Sequence, residues 1–162
     1  MAKNKEEKTN VMRVLEQKKI AYTAHTYPHE EGVAVDGVTV AKSMGFDPAV
    51  VFKTLVARGA SKQYYVFDVP VAENLDLKKA AKAVGEKSIE MIHQKELLPL
   101  TGYVHGGCSP VGMKKLFPTV FHETAENLET MIVSAGRIGY QVELAPHDLA
   151  ALVRAKFADI IV

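Results

Sequence analysis

One lysine stands in unusually apolar company. It is Lys53, in the run AVVFKTLVAR at 49–58. Valine, phenylalanine and leucine at strand length predict a mostly buried β-strand there. A lysine turned towards an apolar interior must find an acceptor or give up its proton, and buried cases reach pKa values of roughly 5–6. Two readings of Lys53 stand at this point. Its stem packs while the ammonium snorkels to water, or it is held in a site and works on an anion.

The second chemically suggestive stretch is TGYVHGGCSPVGMKK at 101–115. Its glycines free backbone N–H groups for close approach by an anion or a carbonyl oxygen, although tight turns alone would also account for them. The order of a P-loop, GxxxxGK[ST], is absent, and so is Rossmann spacing. Cys108, with His105 three residues before it, fits a thiol nucleophile only if a base reaches it in space and its pKa falls. A small buried hydrophobe is the plainer reading. His25 and His29 have HxxxH spacing, but Pro28 and a strand-like context place them off a helix, so no metal site is expected. No cofactor motif occurs.

Composition narrows the possible functions. The chain has 162 residues, 48% hydrophobic and 24% charged, enough for one core, expected over 9–162 behind a solvated tail at 1–8. Its 20 basic and 19 acidic residues nearly cancel, so no bulk field marks a nucleic-acid partner. Lys114 and Lys115, or the lysines at 78, 79, 82 and 87, could still meet phosphates locally, the latter group otherwise forming a solvated helix face. A single cysteine precludes an internal disulfide, and no apolar run approaches membrane-spanning length, so a cytoplasmic location is expected. The absence of tryptophan disfavours extended base-stacking platforms.

The elements that must position these residues follow from pattern. Thr9 caps a helix over 10–18, and a strand runs over 21–27 to Pro28. An acidic, glycine-containing loop at 29–38 leads to a helix from Thr39 to Gly45. Strands at 50–58 and 63–69 predict a hairpin about Gly59. A helix over 77–84, opened by Asn74 or Asp76 and closed by Gly85, precedes a strand at 88–92 and a helical turn at 95–98. Strands at 119–122, 130–134 and 140–144 follow, with a helical turn from Glu123 and a last helix opened by Pro146. About seven strands and four or five helices without regular βαβ alternation predict an α/β protein with a mixed, mainly antiparallel sheet, curled and ringed by helices.

Five tokens carry a resemblance: HTYPH at 25–29, VFKTLV at 51–56, PVAENLDLKKAAKAVG at 70–85, TGYVHGGCSPVGMKK at 101–115 and VSAGRIGYQVEL at 133–144. In this order and spacing the chain resembles the YbaK/EbsC family of Cys-tRNA(Pro) deacylases, related to the editing domain of prolyl-tRNA synthetase. The resemblance spans nearly all of 9–162. It implies a barrel-like YbaK fold and hydrolysis of the ester between a mischarged amino acid and tRNA, without a cofactor. It implies Lys53 as the residue required for catalysis, with Tyr27, Thr54, Gly106 and Ser134 at the substrate. Gly107 is expected beside Gly106 as a second backbone donor to the ester carbonyl. Two positions depart from the family: Gln141 stands where relatives carry Asp, and Asp36 near where they carry an aromatic residue. Gln141 still offers a hydrogen-bond acceptor, but specificity for Cys over Ser or Ala is less determined than the reaction class.

Further expectations follow from the resemblance. An apolar pocket separates side chains differing by one small group by only about 1–3 kcal/mol, and the family solution implied is attack by the substrate's own thiol, with Cys108 a bystander. The partners implied are the acceptor 3′ end of mischarged tRNA and prolyl-tRNA synthetase in a ternary complex, with no membrane. The alternatives are a non-catalytic tRNA- or synthetase-binding module with the same fold, and an esterase using Cys108 and His105 on small molecules.

Overall fold

In a computed structural model, residues 8–30 and 32–162 are described; the tail expected at 1–8 lies, except for Lys8, outside them. Helix α1 (Asn10–Gln17) begins where Thr9 Oγ accepts from Met12 N–H, and buries Val11, Met12 and Leu15. Strand β1 (Thr23–Thr26) leads through the acidic loop to α2 (Gly37–Ser43). That helix starts two residues before Thr39, because Asp36 caps it by accepting from the Thr39 N–H at 3.1 Å. A single 3₁₀ turn (Pro48–Val50) feeds β2 (Phe52–Gly59), which pairs antiparallel with β3 (Tyr64–Pro70) as the predicted hairpin.

Helix α3 (Leu77–Val84) runs from the Asp76 cap to left-handed Gly85. Strand β4 (Ile89–Met91) is followed by α4 (Gln94–Thr101), a full helix where only a turn is predicted. Its start is fixed by the His93 N–H donating to Glu96, and it accommodates Pro99 inside. Then come β5 (Thr119–His122), a 3₁₀ turn (Glu123–Asn127), β6 (Met131–Ser134), β7 (Tyr140–Leu144), α5 (Pro146–Val153) and β8 (Ala155–Ala158). The sequence reading ends on α5 and misses β8. Arg154, left-handed at φ 59°, turns the chain abruptly, and the following strand pairs parallel with β5.

The ladders form two sheets, β4-β2-β3-β5-β8 and β1-β7-β6. They meet at one parallel bridge, Val51 to Ile132. Among the described residues no ladder closes them into a barrel. Four ladders are antiparallel and two, β3–β5 and β5–β8, are parallel, so the sheet system is mixed and mainly antiparallel. Phe67, Phe121, Leu15, Met131, Leu144 and Leu149 are fully buried and fill the space between the sheets and helices. No helix among the described residues is long and apolar enough to cross a membrane.

Candidate functional site

The site grows from an incomplete edge of β2. On one side β2 pairs with β3 along 52–58, but on the other β4 covers only 57–59. Val71 N–H donates to Val51 and Gly59 N–H to Gln63, which places odd-numbered β2 residues in the hydrogen-bonded pairs with β3. The even-numbered ones face the other edge, where Val56 C=O accepts from Ile92 N–H. By that alternation the N–H and C=O of Thr54 point to the uncovered edge.

A cavity of about 450 Å³ opens there, within the range of small-molecule sites. It is walled by β2, the loop before α2, part of 105–108, and the facing ends of β6 and β7. Tyr27, Lys53, Thr54, Gly106, Ser134 and Gln141 all border it, as do Asp36, His105, Cys108 and Tyr140. Segments more than a hundred residues apart thus converge on one space.

Lys53 is half-buried and makes no hydrogen bond or ion pair with a described residue. Desolvation pulls its pKa below the ordinary lysine range, and the negative charges of Asp36 and Glu73 partly oppose that shift. An underused ammonium at a cavity rim is suited to an anionic partner. Asp36, where a family aromatic is expected, is an exposed helix cap whose charge bears on Lys53.

Thr54 and Asp68 are opposite one another in a non-hydrogen-bonded pair, the geometry that brings side chains closest. Thr54 Oγ donates to Asp68 Oδ1 at 2.5 Å, while Asp68 Oδ2 is buried without a partner among the described residues. Complete burial pushes the carboxyl up to about 7, against the opposing pull of the Thr54 hydrogen bond. Asp68 is the residue that the sequence reading missed. The signal was the one that drew attention to Lys53: an ionisable side chain within an apolar strand, YYVFDV.

On the β6–β7 side, Ser134 and Gln141 are cross-strand partners. Ser134 Oγ accepts from Gly136 N–H at 3.1 Å, and the Gln141 side-chain oxygen is buried without a partner among the described residues. That leaves an acceptor ready for a ligand N–H or O–H. Tyr27 is buried, and its N–H is held by Gly139 C=O.

Gly106 has φ 89°, and a Cβ there would lie 2.7 Å from the Ala34 Cβ, so only glycine fits this part of the wall. Gly107 corrects an expectation. It does not border the cavity, and its N–H is donated to Val104 C=O at 2.9 Å, closing a turn, so it is not a second donor to an ester carbonyl. Cys108 is also unlike a nucleophile. Burial, with a smaller contribution from the Asp68 charge, pushes its thiol up to about 12, overcoming the opposing hydrogen bond from Thr101. His105 is exposed and forms no hydrogen bond with it. His25 and His29 are engaged separately, with Glu143 at 2.8 Å and Tyr27 C=O at 2.9 Å.

Residues 32–152 match the family model for the aminoacyl-tRNA editing domain. The chain belongs to this family. Lys53, Thr54, Gly106, Ser134 and Gln141 fall inside the matched segment of the editing domain, and Tyr27 precedes it. A relative in Enterococcus faecalis, EbsC, named as a candidate Cys-tRNA(Pro)/Cys-tRNA(Cys) deacylase, is 45% identical over 161 residues, covering 99% of this chain and 98% of its own. The editing-domain fold also recurs in solved structures. One, described as a candidate trans-editing enzyme for prolyl-tRNA synthetase, has TM-score 0.80 at 24% identity, covering 97% of this chain and 99% of that one. Another, the hypothetical protein APE2540, has TM-score 0.82 at 19% identity, covering 94% and 99%.

Proposed function

We propose that this chain is a trans-editing deacylase that hydrolyses the aminoacyl ester of mischarged tRNA, with Cys-tRNA(Pro) as its substrate, working in the cytoplasm as one domain over 9–162. The observation that carries this reading is Lys53: a half-buried ammonium without an ion-pair partner among the described residues, on the rim of a cavity that Tyr27, Thr54, Gly106, Ser134 and Gln141 also border. The 45% identity to EbsC supports the substrate class.

In this reading the cavity receives the 3′-terminal aminoacyl adenosine. Lys53 faces a phosphate or the oxyanion developing at the ester, where a positive charge in a partly dry site acts most strongly. It does not face the substrate's α-ammonium, which it would repel. Gly106 lets the backbone approach the ester, and Gln141 accepts a hydrogen bond from the amino acid. Cysteine is distinguished by its own chemistry. Its sulfur bonds to the carbonyl carbon as the carbon–oxygen bond to ribose breaks, and the thiol proton passes to the ribose oxygen. Water then opens the thiolactone to free cysteine. An aminoacyl ester is labile, so the barrier to be lowered is far smaller than for a peptide bond.

The near-neutral charge implies weak selection of tRNA by this domain alone, since phosphate neutralisation dominates nucleic-acid affinity. Prolyl-tRNA synthetase in a ternary complex would supply that selection. The test is release of labelled cysteine from Cys-tRNA(Pro) at sub-stoichiometric protein, with and without the synthetase. Many turnovers per chain are expected. Retardation of the tRNA with no release in either condition would replace the enzyme by a binding module.

A further inference from the structure

Asp68 lies behind the cavity wall, on β3, and takes no part in the chemistry above. It is fully buried, its Oδ1 accepts the Thr54 hydroxyl at 2.5 Å, and its Oδ2 meets no donor among the described residues. A threonine hydroxyl has one proton and two lone pairs. With that proton directed into Asp68, the oxygen has only lone pairs left for the cavity that Thr54 borders. A threonine facing an apolar neighbour instead would rotate freely between donating and accepting.

We propose that Asp68 is a positioning residue: by taking the Thr54 hydroxyl proton it makes Thr54 an obligate acceptor, which binds the α-ammonium of the esterified amino acid. This rests on the deacylase reading. Three features favour an ammonium. Gln141 presents to the same cavity a buried side-chain oxygen without a partner among the described residues, a second acceptor beside Thr54. Consecutive strand residues project to opposite faces, so Lys53 and Thr54 approach the cavity from different sides of β2, separating the lysine charge from an ammonium at Thr54. Asp68 Oδ1 accepts the Thr54 proton whether or not Oδ2 carries one of its own, so Thr54 stays an acceptor without a carboxylate being exposed for water or Lys53 to neutralise.

The test uses a non-hydrolysable ligand, 3′-alanylamino-3′-deoxyadenosine, and its counterpart lacking the α-amino group, titrated by calorimetry into the wild-type chain and its variants. The wild type is expected to prefer the amino compound at least tenfold, about the effect of one hydrogen bond to a charged group. Thr54→Val and Asp68→Leu should each abolish the preference, and Asp68→Leu should change nothing further in a Thr54→Val background. Asp68→Asn and Thr54→Ser, which keep the acceptor and the hydroxyl, should retain most of it. If Asp68→Leu does not fold, the Val against Ser comparison at 54 and the Asn variant at 68 still decide. An undiminished preference in Thr54→Val, or equal binding of both compounds by the wild type, would overturn the assignment. Because this readout is binding, it stands apart from hydrolysis: absence of turnover with an intact amino preference would refute the deacylase reading and leave the Asp68–Thr54 assignment in place.

Discussion

Replacing Asp68 by Asn should make the stability of this protein less dependent on pH, in a direction set by burial. Asp68 is fully enclosed, and burial raises its pKa from the ordinary 3.8 to about 7. Between those values the folded chain holds a proton that the unfolded chain has released. The native state therefore binds more protons there, and stability falls as pH rises. Each pKa unit of difference is worth about 1.4 kcal/mol, so the ionised carboxylate costs the native state roughly 4 kcal/mol once pH exceeds both values. From pH 5 to pH 8 the loss attributable to Asp68 is roughly 2–3 kcal/mol by the same relation. Asn keeps an acceptor for Thr54 but does not titrate. Its buried amide adds a pH-independent cost of about 1–3 kcal/mol if its N–H₂ finds no partner, so the slope carries the prediction. Urea unfolding followed by circular dichroism, across pH 5–8, should give a stability difference between Asp68→Asn and wild type that grows in favour of the variant by roughly 2–3 kcal/mol. A difference that stays flat across this range would show that Asp68 is not a desolvated carboxyl with an unpartnered oxygen.

Cys108→Ala should retain deacylation within about twofold, since a thiol pushed up to about 12 is protonated at neutral pH; loss of cysteine release from a folded variant, in the same labelled assay, would require a protein thiol mechanism. Gly106→Ala combines a left-handed φ of 89° with a Cβ 2.7 Å from Ala34. Backbone strain of about 1–2 kcal/mol should lower its melting temperature by a few degrees, while displacement of the cavity wall should cost at least tenfold in kcat/KM. Wild-type kcat/KM in this variant would remove the glycine wall from the site.

Much of the fold was readable because local signals and tertiary packing agree. Helix α3 has its predicted bounds: Asp76 caps it, Gly85 ends it left-handed, and Ala80 and Ala81 face the core. Strands β5 and β7 likewise have the predicted bounds. The misses have physical reasons. Helix α4 hides behind Pro99, past which the chain is still held helical by Thr101 Oγ donating to Leu97 C=O and Gly102 N–H donating to Leu98 C=O. Strand β8 follows α5 without a glycine or proline, and only its parallel pairing with β5 makes it a strand. Division into two sheets depends on long-range pairing that periodicity cannot report. In the site, motif order placed Lys53, Thr54, Gly106, Ser134, Gln141 and Tyr27, which all border one cavity. Gly107 fell outside it because a glycine pair does not reveal which N–H closes a turn. Asp68 became prominent only when register set it opposite Thr54.

The central claim is that Lys53 serves deacylation, and the most direct measurement is release of labelled amino acid from Cys-tRNA(Pro) by wild type and Lys53→Ala, with Ala-tRNA(Pro) in parallel and folding checked by circular dichroism. Rapid cysteine release by the wild type, slow alanine release, and a loss of at least a hundredfold in the folded variant, roughly the effect of one electrostatic transition-state contact, are the predicted results. Equal cysteine release by wild type and Lys53→Ala would contradict the account.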